Sequence, residues 1–144
     1  MRKINKIIVH CTATPEGRDV SVDTIRQWHL DRGWSDIGYH YVVGLDGKVE
    51  EGRPVRRSGA HVRGQNRASI GITYVGGCDS KMNPKDTRTE LQKSALDTLI
   101  ISLMNSYPNS TLHGHNEFSA KACPSFDVQK EYEQIIKDFK ECEY

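Results

Sequence analysis

The segment from Ser110 to Asp127, STLHGHNEFSAKACPSFD, concentrates side chains that bind metals and move protons. It contains His113, His115 and Cys123, and a further candidate, His10, ends an apolar run near the start of the chain. Imidazole nitrogen and thiolate sulfur together suit zinc, which accepts both in tetrahedral geometry. The chain has no Cys-x-x-Cys pair, so three protein ligands plus water, the arrangement of a catalytic site, fit better than a structural site.

Two other chemistries use the same residues and stay open at the level of spacing. Cys123 could be the nucleophile of a cysteine hydrolase, with His10 or His115 as its base. A structural zinc site without chemistry would be closed by a fourth ligand, His113 or Cys11. Loss of activity on metal removal would separate a zinc hydrolase from a cysteine hydrolase.

Strand and helix patterns indicate how these residues are positioned. The β-branched run INKIIVH predicts a buried strand over Ile4–His10, which puts His10 at its carboxyl end. The runs Tyr39–Gly44 and Lys48–Glu51 flank Asp46-Gly47 and predict a β-hairpin, and Ser69–Val75 predicts another strand. A short strand is expected in NSTLHG, just before the candidate ligands.

Three helices are predicted between and after these strands. Ser21 and Gly33 bound the first, and Thr89 opens the second with the Thr-x-x-Gln spacing of a capping box. A stripe in this second helix is expected to face the core, formed by Leu91, Ala95, Leu96, Leu99, Ile100 and Leu103. Asp127 caps a terminal helix whose inward residues are expected to be Val128, Tyr132, Ile135, Ile136 and Phe139.

The order of elements predicts an α/β fold in which a central mixed β-sheet is flanked by about three α-helices. At 144 residues, with 36% hydrophobic and 27% charged residues, the chain fits a single domain over 1–144. The formal net charge of +1 gives no general attraction to nucleic acid or to an anionic membrane. No apolar run is long enough to cross a bilayer, and Asn5 and Lys6 interrupt the basic opening, so no secretion signal is expected.

Four motifs, in order, carry a resemblance to a known family. They are IIVHCTATPEGRDVSVDTIRQWHLDRGWSDIGYHYVV, DGKVEEGRP, GAHVRGQNRASIGITYVGG and LHGHNEFSAKACPSFD, which run from about Ile7 to about Asp127. The chain resembles the zinc-dependent N-acetylmuramoyl-L-alanine amidases of the phage lysozyme and peptidoglycan recognition protein type. The resemblance implies hydrolysis of the amide bond between N-acetylmuramic acid and L-alanine in peptidoglycan, as in a phage or prophage endolysin that degrades the cell wall.

The resemblance also implies roles for individual residues. The zinc ligands fall on His10, His115 and Cys123, and the catalytic residues fall on Tyr39 and Lys121. Zinc in such a site activates water for attack on the carbonyl carbon, and the Lys121 ammonium stabilises charge on the carbonyl oxygen. Tyr39 accepts or relays the proton that must reach the departing amine.

Further residues complete the expected site. His61 matches a groove residue that touches substrate, and the arginine cluster at 53, 56, 57, 63 and 67 is either a solvated edge or a cationic wall facing stem-peptide carboxylates, with Arg63 or Arg67 lining the groove. His113 is a lesser candidate because in a strand it would share a face with His115. Glu117 is a lesser candidate for a base or for a partner that orients a ligand.

One departure and one alternative remain. The familiar phage enzyme has a second histidine directly after the loop ligand, where this chain has Asn116. Some relatives bind peptidoglycan without cutting it, which makes a non-catalytic binding module the alternative, although such relatives typically lose a zinc ligand and all three are present here. We expect a monomer that binds peptidoglycan, binds no nucleic acid, does not insert into membranes, and stays cytoplasmic until it is released to the cell wall.

Overall fold

The structure is a computed structural model in which residues 2–141 are described. The seven strands are β1 (Lys6–Cys11), β2 (Thr14–Pro15), β3 (Tyr41–Val43), β4 (Val49–Glu51), β5 (Ser69–Tyr74), β6 (Gly77–Cys78) and β7 (Thr111–Gly114). The four α-helices are α1 (Val22–Asp31), α2 (Glu90–Ser106), α3 (Val128–Glu131) and α4 (Glu133–Glu141). Two short 3-10 helices cover Asn66–Ala68 and His115–Glu117.

The central sheet has the strand order β4-β3-β5-β1-β7 and is mixed, as the sequence predicts. Strands β3, β5, β1 and β7 are mutually parallel, whereas β4 pairs antiparallel with β3 through the predicted hairpin. Because parallel strands need crossover connections, α1 and α2 each carry the chain back across the sheet. The carboxyl ends of β1 and β7 therefore meet at one edge.

Alternation along the strands gives the sheet two different faces. Ile7 and Val9 of β1 point with Ile70 and Ile72 of β5 into the main core, which α2, α3 and α4 cover. His10 and its register partner Thr73 belong to the opposite face. That face is covered in part by α1 through a second, smaller apolar cluster. The side of the sheet that lacks α2 is therefore the side on which polar chemistry can be placed.

The predicted starts of the first two helices are confirmed. The Ser21 side chain accepts a hydrogen bond from the Thr24 backbone N–H at 3.1 Å. At the start of α2, Thr89 Oγ1 accepts from the Gln92 N–H, and Gln92 Oε1 accepts from the Thr89 N–H, which completes the capping box. Each arrangement satisfies backbone donors that the first helical turn leaves free.

The prediction that Leu91 faces the core is wrong, since 61% of this residue is exposed. The rest of the predicted stripe is confirmed, because Leu96, Ile100 and Leu103 are buried and Ala95 and Leu99 pack against the core. Gln92 is buried in place of Leu91. Gln92 can be buried because its Nε2 donates to the carbonyl oxygens of Val43 and Val75. A polar residue that caps the helix and bridges two strands thus takes the position that hydropathy gave to leucine.

Two further features differ from the sequence expectation. The predicted terminal helix is divided, because α3 ends at Glu131 and α4 begins at Glu133. In addition, β2 and β6 form a separate two-residue ladder with Thr14 opposite Gly77 and Pro15 opposite Cys78. This ladder extends the chain beyond the end of β1 and fixes the loop that follows His10.

Where the structure describes the cysteines, they are thiols and form no disulfide. Cys11, Cys78 and Cys123 are free. Cys142 lies outside the described residues.

Within residues 2–141, no helix has both the length and the apolar character needed to cross a bilayer.

Candidate metal centre

Three side chains predicted as ligands come together on the sheet face opposite α2. One ligand atom each from His10, His115 and Cys123 lies within 4.8 Å of the other two. His10 Nδ1 is 3.8 Å from Cys123 Sγ, so the δ nitrogen of His10 faces the centre of the group. We call these three residues the ligand cluster.

Each ligand comes from a different local structure. His10 is the second-to-last residue of β1, and His115 begins the 3-10 helix directly after β7. Cys123 lies in the loop that precedes α3, where its Sγ accepts a hydrogen bond from the Cys11 backbone N–H at 3.2 Å. The adjacent parallel pairing of β1 with β7 therefore brings together residues that are about a hundred positions apart in sequence.

The donor set fits zinc. Ideal Zn–N and Zn–S bonds of about 2.1 and 2.3 Å put tetrahedral ligand atoms about 3.6 Å apart, close to the 3.8 Å between His10 Nδ1 and Cys123 Sγ. His10 is buried, while His115 and Cys123 are half-buried, so the cluster can be reached from solvent on one side. No fourth His, Cys, Asp or Glu between residues 2 and 141 joins the cluster, which leaves one coordination position for a small molecule.

Protonation in the cluster also favours a cation. Burial, together with the neighbouring His61, His115 and Lys121, holds the pKa of His10 well below its usual range, and burial and Lys121 lower the pKa of His115. Both imidazoles are therefore neutral at pH 7, the form that coordinates metals. The hydrogen bond with the Cys11 thiol and burial raise the pKa of Cys123, so without a cation the thiol form of this residue is favoured.

Tyr39 lies beside the ligand cluster. Its ring centroid is 5.1 Å from that of His10 and 5.5 Å from that of His29. Burial raises the pKa of Tyr39, so its hydroxyl is protonated at neutral pH and can donate a proton or a hydrogen bond. Thr73, also on this face, carries a buried Oγ1 that has no hydrogen-bond partner among the described residues.

Lys121 is exposed on the loop that carries Cys123. Burial is the main reason why the pKa values of His10 and His115 are lowered, and the positive charge of Lys121 makes a smaller contribution to both. The charge of Lys121 therefore lies near both imidazoles. The structure thus brings Tyr39 and Lys121, the two predicted catalytic residues, to the same face as the three predicted ligands.

The two lesser candidates make a separate network. His113 is in register with Ile8, on the same face as His10 but farther from the strand ends, and it is not part of the ligand cluster. Its Nδ1 lies 2.9 Å from Glu117 Oε1 and its Nε2 lies 2.6 Å from Thr111 Oγ1.

Glu117 is held by hydrogen bonds on both carboxylate oxygens. Oε2 accepts from the Gly114 N–H at 2.6 Å, and Gln129 Nε2 donates to both oxygens at 3.2 Å. Although burial would raise the pKa of Glu117, these bonds and His113 hold it below its usual value. The contacts of Glu117 with Gly114 and Gln129 hold the turn that carries His115.

His61 directly contacts His10, one of the three residues of the ligand cluster. Its Nδ1 lies 2.8 Å from His10 Nε2, and its Nε2 lies 3.1 Å from Ser69 Oγ. The loop backbone that carries it is fixed because Asn66 Oδ1 accepts from the N–H groups of His61 and Val62. Burial lowers the pKa of His61 to about 3, with smaller contributions from His40, His115 and two arginines, so the ring is neutral.

The arginine cluster does not act as one surface. Arg53 is buried and is neither solvated nor part of an open wall, since it donates to the carbonyl oxygens of Ile37, Asp36 and Ser58. Arg63 is exposed on the loop that carries His61, and Arg67 is exposed in the 3-10 helix Asn66–Ala68 that follows this loop. They make no side-chain hydrogen bond or ion pair with any other residue between 2 and 141, so both guanidinium groups are available there for a ligand.

Asn116 is a residue whose role the sequence left open. Its Nδ2 donates to the carbonyl oxygen of Phe126 at 3.2 Å and approaches that of Ala122 at 3.5 Å. Asn116 follows His115 directly and Ala122 precedes Cys123, so this side chain joins the two segments that carry those ligands. Such contacts between distant segments leave no local pattern in a sequence.

Comparison with known proteins agrees with this geometry. Residues 1–126 match the family model described as N-acetylmuramoyl-L-alanine amidase. The chain is 43% identical over 129 residues to the endolysin of Enterobacteria phage K11, which covers 90% of this chain and 85% of the endolysin. It is 31% identical to peptidoglycan-recognition protein SC2 of Drosophila melanogaster, over 86% of this chain and 70% of that protein.

A solved structure shows the same fold. The N-acetylmuramoyl-L-alanine amidase LysC from Clostridium intestinale URNW superposes with a TM-score of 0.80 at 29% identity, over 93% of this chain and 86% of that chain. The central mixed sheet with its helices is therefore a shared architecture, on which the ligand cluster occupies one face.

Proposed function

The chain belongs to the N-acetylmuramoyl-L-alanine amidase family, and we propose that it carries out the reaction with zinc held by His10, His115 and Cys123. It hydrolyses the amide bond between N-acetylmuramic acid and L-alanine in peptidoglycan, as an endolysin-type enzyme. The observation that carries the zinc proposal is the convergence of two imidazoles and one thiol within 4.8 Å of one another. Bound zinc would supply Lewis acidity that activates water and polarises the scissile carbonyl.

Two side chains, Lys121 and Tyr39, are proposed to stabilise charge and to transfer a proton during the reaction. We assign to the Lys121 ammonium the stabilisation of negative charge that develops on the carbonyl oxygen. Tyr39 keeps its proton at neutral pH, so its hydroxyl can give a proton to the nitrogen of L-alanine as the C–N bond breaks. In the same transfer the Tyr39 oxygen accepts a proton from the attacking water, so that amide and water become a carboxylic acid and an amine.

The substrate's peptide stem is acidic, and the free basic groups beside the site suit it. We propose that His61, Arg63 and Arg67 line the groove, with the two guanidinium groups engaging stem-peptide carboxylates. Both arginines are exposed, on the loop that carries His61 to the ligand cluster and on the 3-10 helix that follows this loop.

The setting of the reaction follows from the relatives. Since the phage K11 relative is an endolysin, we propose that this chain is made inside a bacterial cell and reaches the cell wall at lysis. We further propose that it acts as a monomer of one domain over residues 1–144. A net charge of +1 supports a protein with no affinity for nucleic acid.

Product analysis tests the proposed reaction. Purified peptidoglycan treated with the protein should yield new amino-terminal L-alanine without new reducing sugar ends, because an amide and not a glycosidic bond is cut. Binding to peptidoglycan without release of L-alanine would instead show a recognition module. Recognition of peptidoglycan is what the name of the SC2 relative states.

Lys121→Ala is expected to lower kcat by about a hundredfold to a thousandfold, the usual cost of one lost donor to a developing oxyanion. The zinc content should stay at the level of the unchanged protein because Lys121 is not a ligand. Lys130→Ala, an exposed lysine on α3, is the matched control and should keep full activity. A Lys121→Ala enzyme with normal kcat would contradict the assigned role.

The double replacement of Arg63 and Arg67 by alanine is expected to weaken peptidoglycan binding and raise KM, with kcat much less affected. Each charge-assisted contact of this type is worth about 1.5–3 kcal/mol when desolvated and less when exposed, so a rise of roughly tenfold is expected. Binding measured against peptidoglycan whose stem carboxylates are amidated should remove the difference. Equal affinity of the double variant and the unchanged protein for native peptidoglycan would defeat the proposal.

A further inference from the structure

His61 does more in this structure than line a groove. Its Nδ1 contacts His10 Nε2 at 2.8 Å, on the side of the His10 ring away from Cys123. Because His10 presents Nδ1 to the ligand cluster, its single proton in the neutral form must lie on Nε2. Nε2–H therefore donates to His61 Nδ1, and His61 must carry its own proton on Nε2.

The next contact agrees with this proton arrangement. His61 Nε2 lies 3.1 Å from Ser69 Oγ, a buried hydroxyl that can accept the hydrogen bond. The result is a directed chain from His10 to His61 to Ser69 in which each imidazole N–H has an acceptor. Reversal of the His10 tautomer would put a proton on the nitrogen that faces the metal and would break this chain.

The backbone around His61 is shaped to hold the ring. A Cβ on Gly71 would lie 2.6 Å from His61 Cγ, and a Cβ on Gly59 would lie 2.8 Å from His61 Cδ2. Any side chain at these two positions would displace the imidazole. Two glycines and the Asn66 side chain thus fix the ring at the distance where it contacts His10.

We propose that His61 is a positioning residue that holds His10 in the tautomer and orientation required for metal binding, with Ser69 as its outer partner. This inference rests on the proposed zinc site. Histidine ligands are commonly fixed by a hydrogen bond at their second nitrogen, and loss of such a partner typically lowers metal affinity about 10- to 100-fold. Both ring nitrogens of His61 are used in this way, so the ring can face the groove only with its carbon atoms.

Zinc affinity measured by competition with a chromophoric chelator tests this proposal, using the full chain. His61→Phe keeps a ring between the two glycines but removes the acceptor, and His61→Asn keeps an acceptor near the position of Nδ1 but removes the ring. We expect His61→Phe to bind zinc about 10- to 100-fold more weakly, and His61→Asn to recover most of the affinity. The visible spectrum of the Co²⁺-loaded protein should change in His61→Phe and be restored in His61→Asn.

Two results would overturn the proposal. They are an unchanged zinc affinity in a folded His61→Phe protein, or equal losses of zinc affinity in His61→Phe and His61→Asn. If His61→Phe does not fold, Ser69→Ala decides, because a normal zinc affinity there would also contradict the chain of contacts. Failure of the unchanged protein to bind zinc would overturn the proposed function itself, which distinguishes the two failures.

Discussion

Cys123→Ser is expected to abolish both metal binding and peptidoglycan hydrolysis. A serine hydroxyl stays protonated at neutral pH and is a poor zinc ligand, so only two histidines of the ligand cluster would remain. Loss of a residue that only supports a metal ligand typically lowers metal affinity by up to about 100-fold. Because Cys123 is itself a proposed ligand, the loss of zinc affinity in Cys123→Ser should be larger. Release of amino-terminal L-alanine should fall to the level of a control without enzyme.

Cys78→Ser is the control for this substitution. Cys78, like Cys123, is a free thiol, but it is buried on β6 and lies outside the ligand cluster. We expect this variant to keep its zinc and its activity. A Cys123→Ser protein that still binds zinc as the unchanged chain does would show that the ligand set has been assigned incorrectly.

Tyr39→Phe is expected to lower kcat by about 100- to 10,000-fold, the range for loss of a positioned proton donor. Zinc content and KM should change little, because the phenol is not a ligand and its ring remains beside His10. Steady-state rates of L-alanine release, measured together with bound zinc, separate these quantities.

Tyr41→Phe makes the same chemical change two residues later on the opposite face of the sheet. Tyr41 is half-buried and packs against the core that α2 covers. We expect this variant to retain activity. If Tyr39→Phe loses zinc along with activity, Tyr39 supports the structure of the centre, and its assignment to proton transfer is wrong.

The site could be predicted from the sequence where strand ends determine position. His10 was expected at the carboxyl end of a buried strand, and β1 and β7 are adjacent and parallel, so the ends of both strands meet. The capping box at Thr89 and the hairpin around Asp46-Gly47 were equally local signals, and both are confirmed. Local patterns of this kind are decided by residues a few positions apart.

Contacts between distant segments could not be predicted in this way. The bond of His61 to His10 joins residues 51 positions apart, and it depends on the space that Gly59 and Gly71 leave free. Arg53 belonged to a basic cluster by sequence, yet it is buried because three backbone carbonyl oxygens surround it. Hydropathy alone predicts that Leu91 faces the core. It does not show that the side-chain amide of Gln92 can be buried because it donates hydrogen bonds to two strands.

Titration of zinc into the metal-free protein, with release of amino-terminal L-alanine as the readout, tests the central claim most directly. The protein would be freed of metal with a chelator and the chelator removed before zinc is added back. We predict that chelation abolishes hydrolysis, and that activity rises with added zinc until one equivalent per chain is bound. Undiminished hydrolysis by the metal-free protein would contradict a zinc amidase and favour Cys123 as a nucleophile.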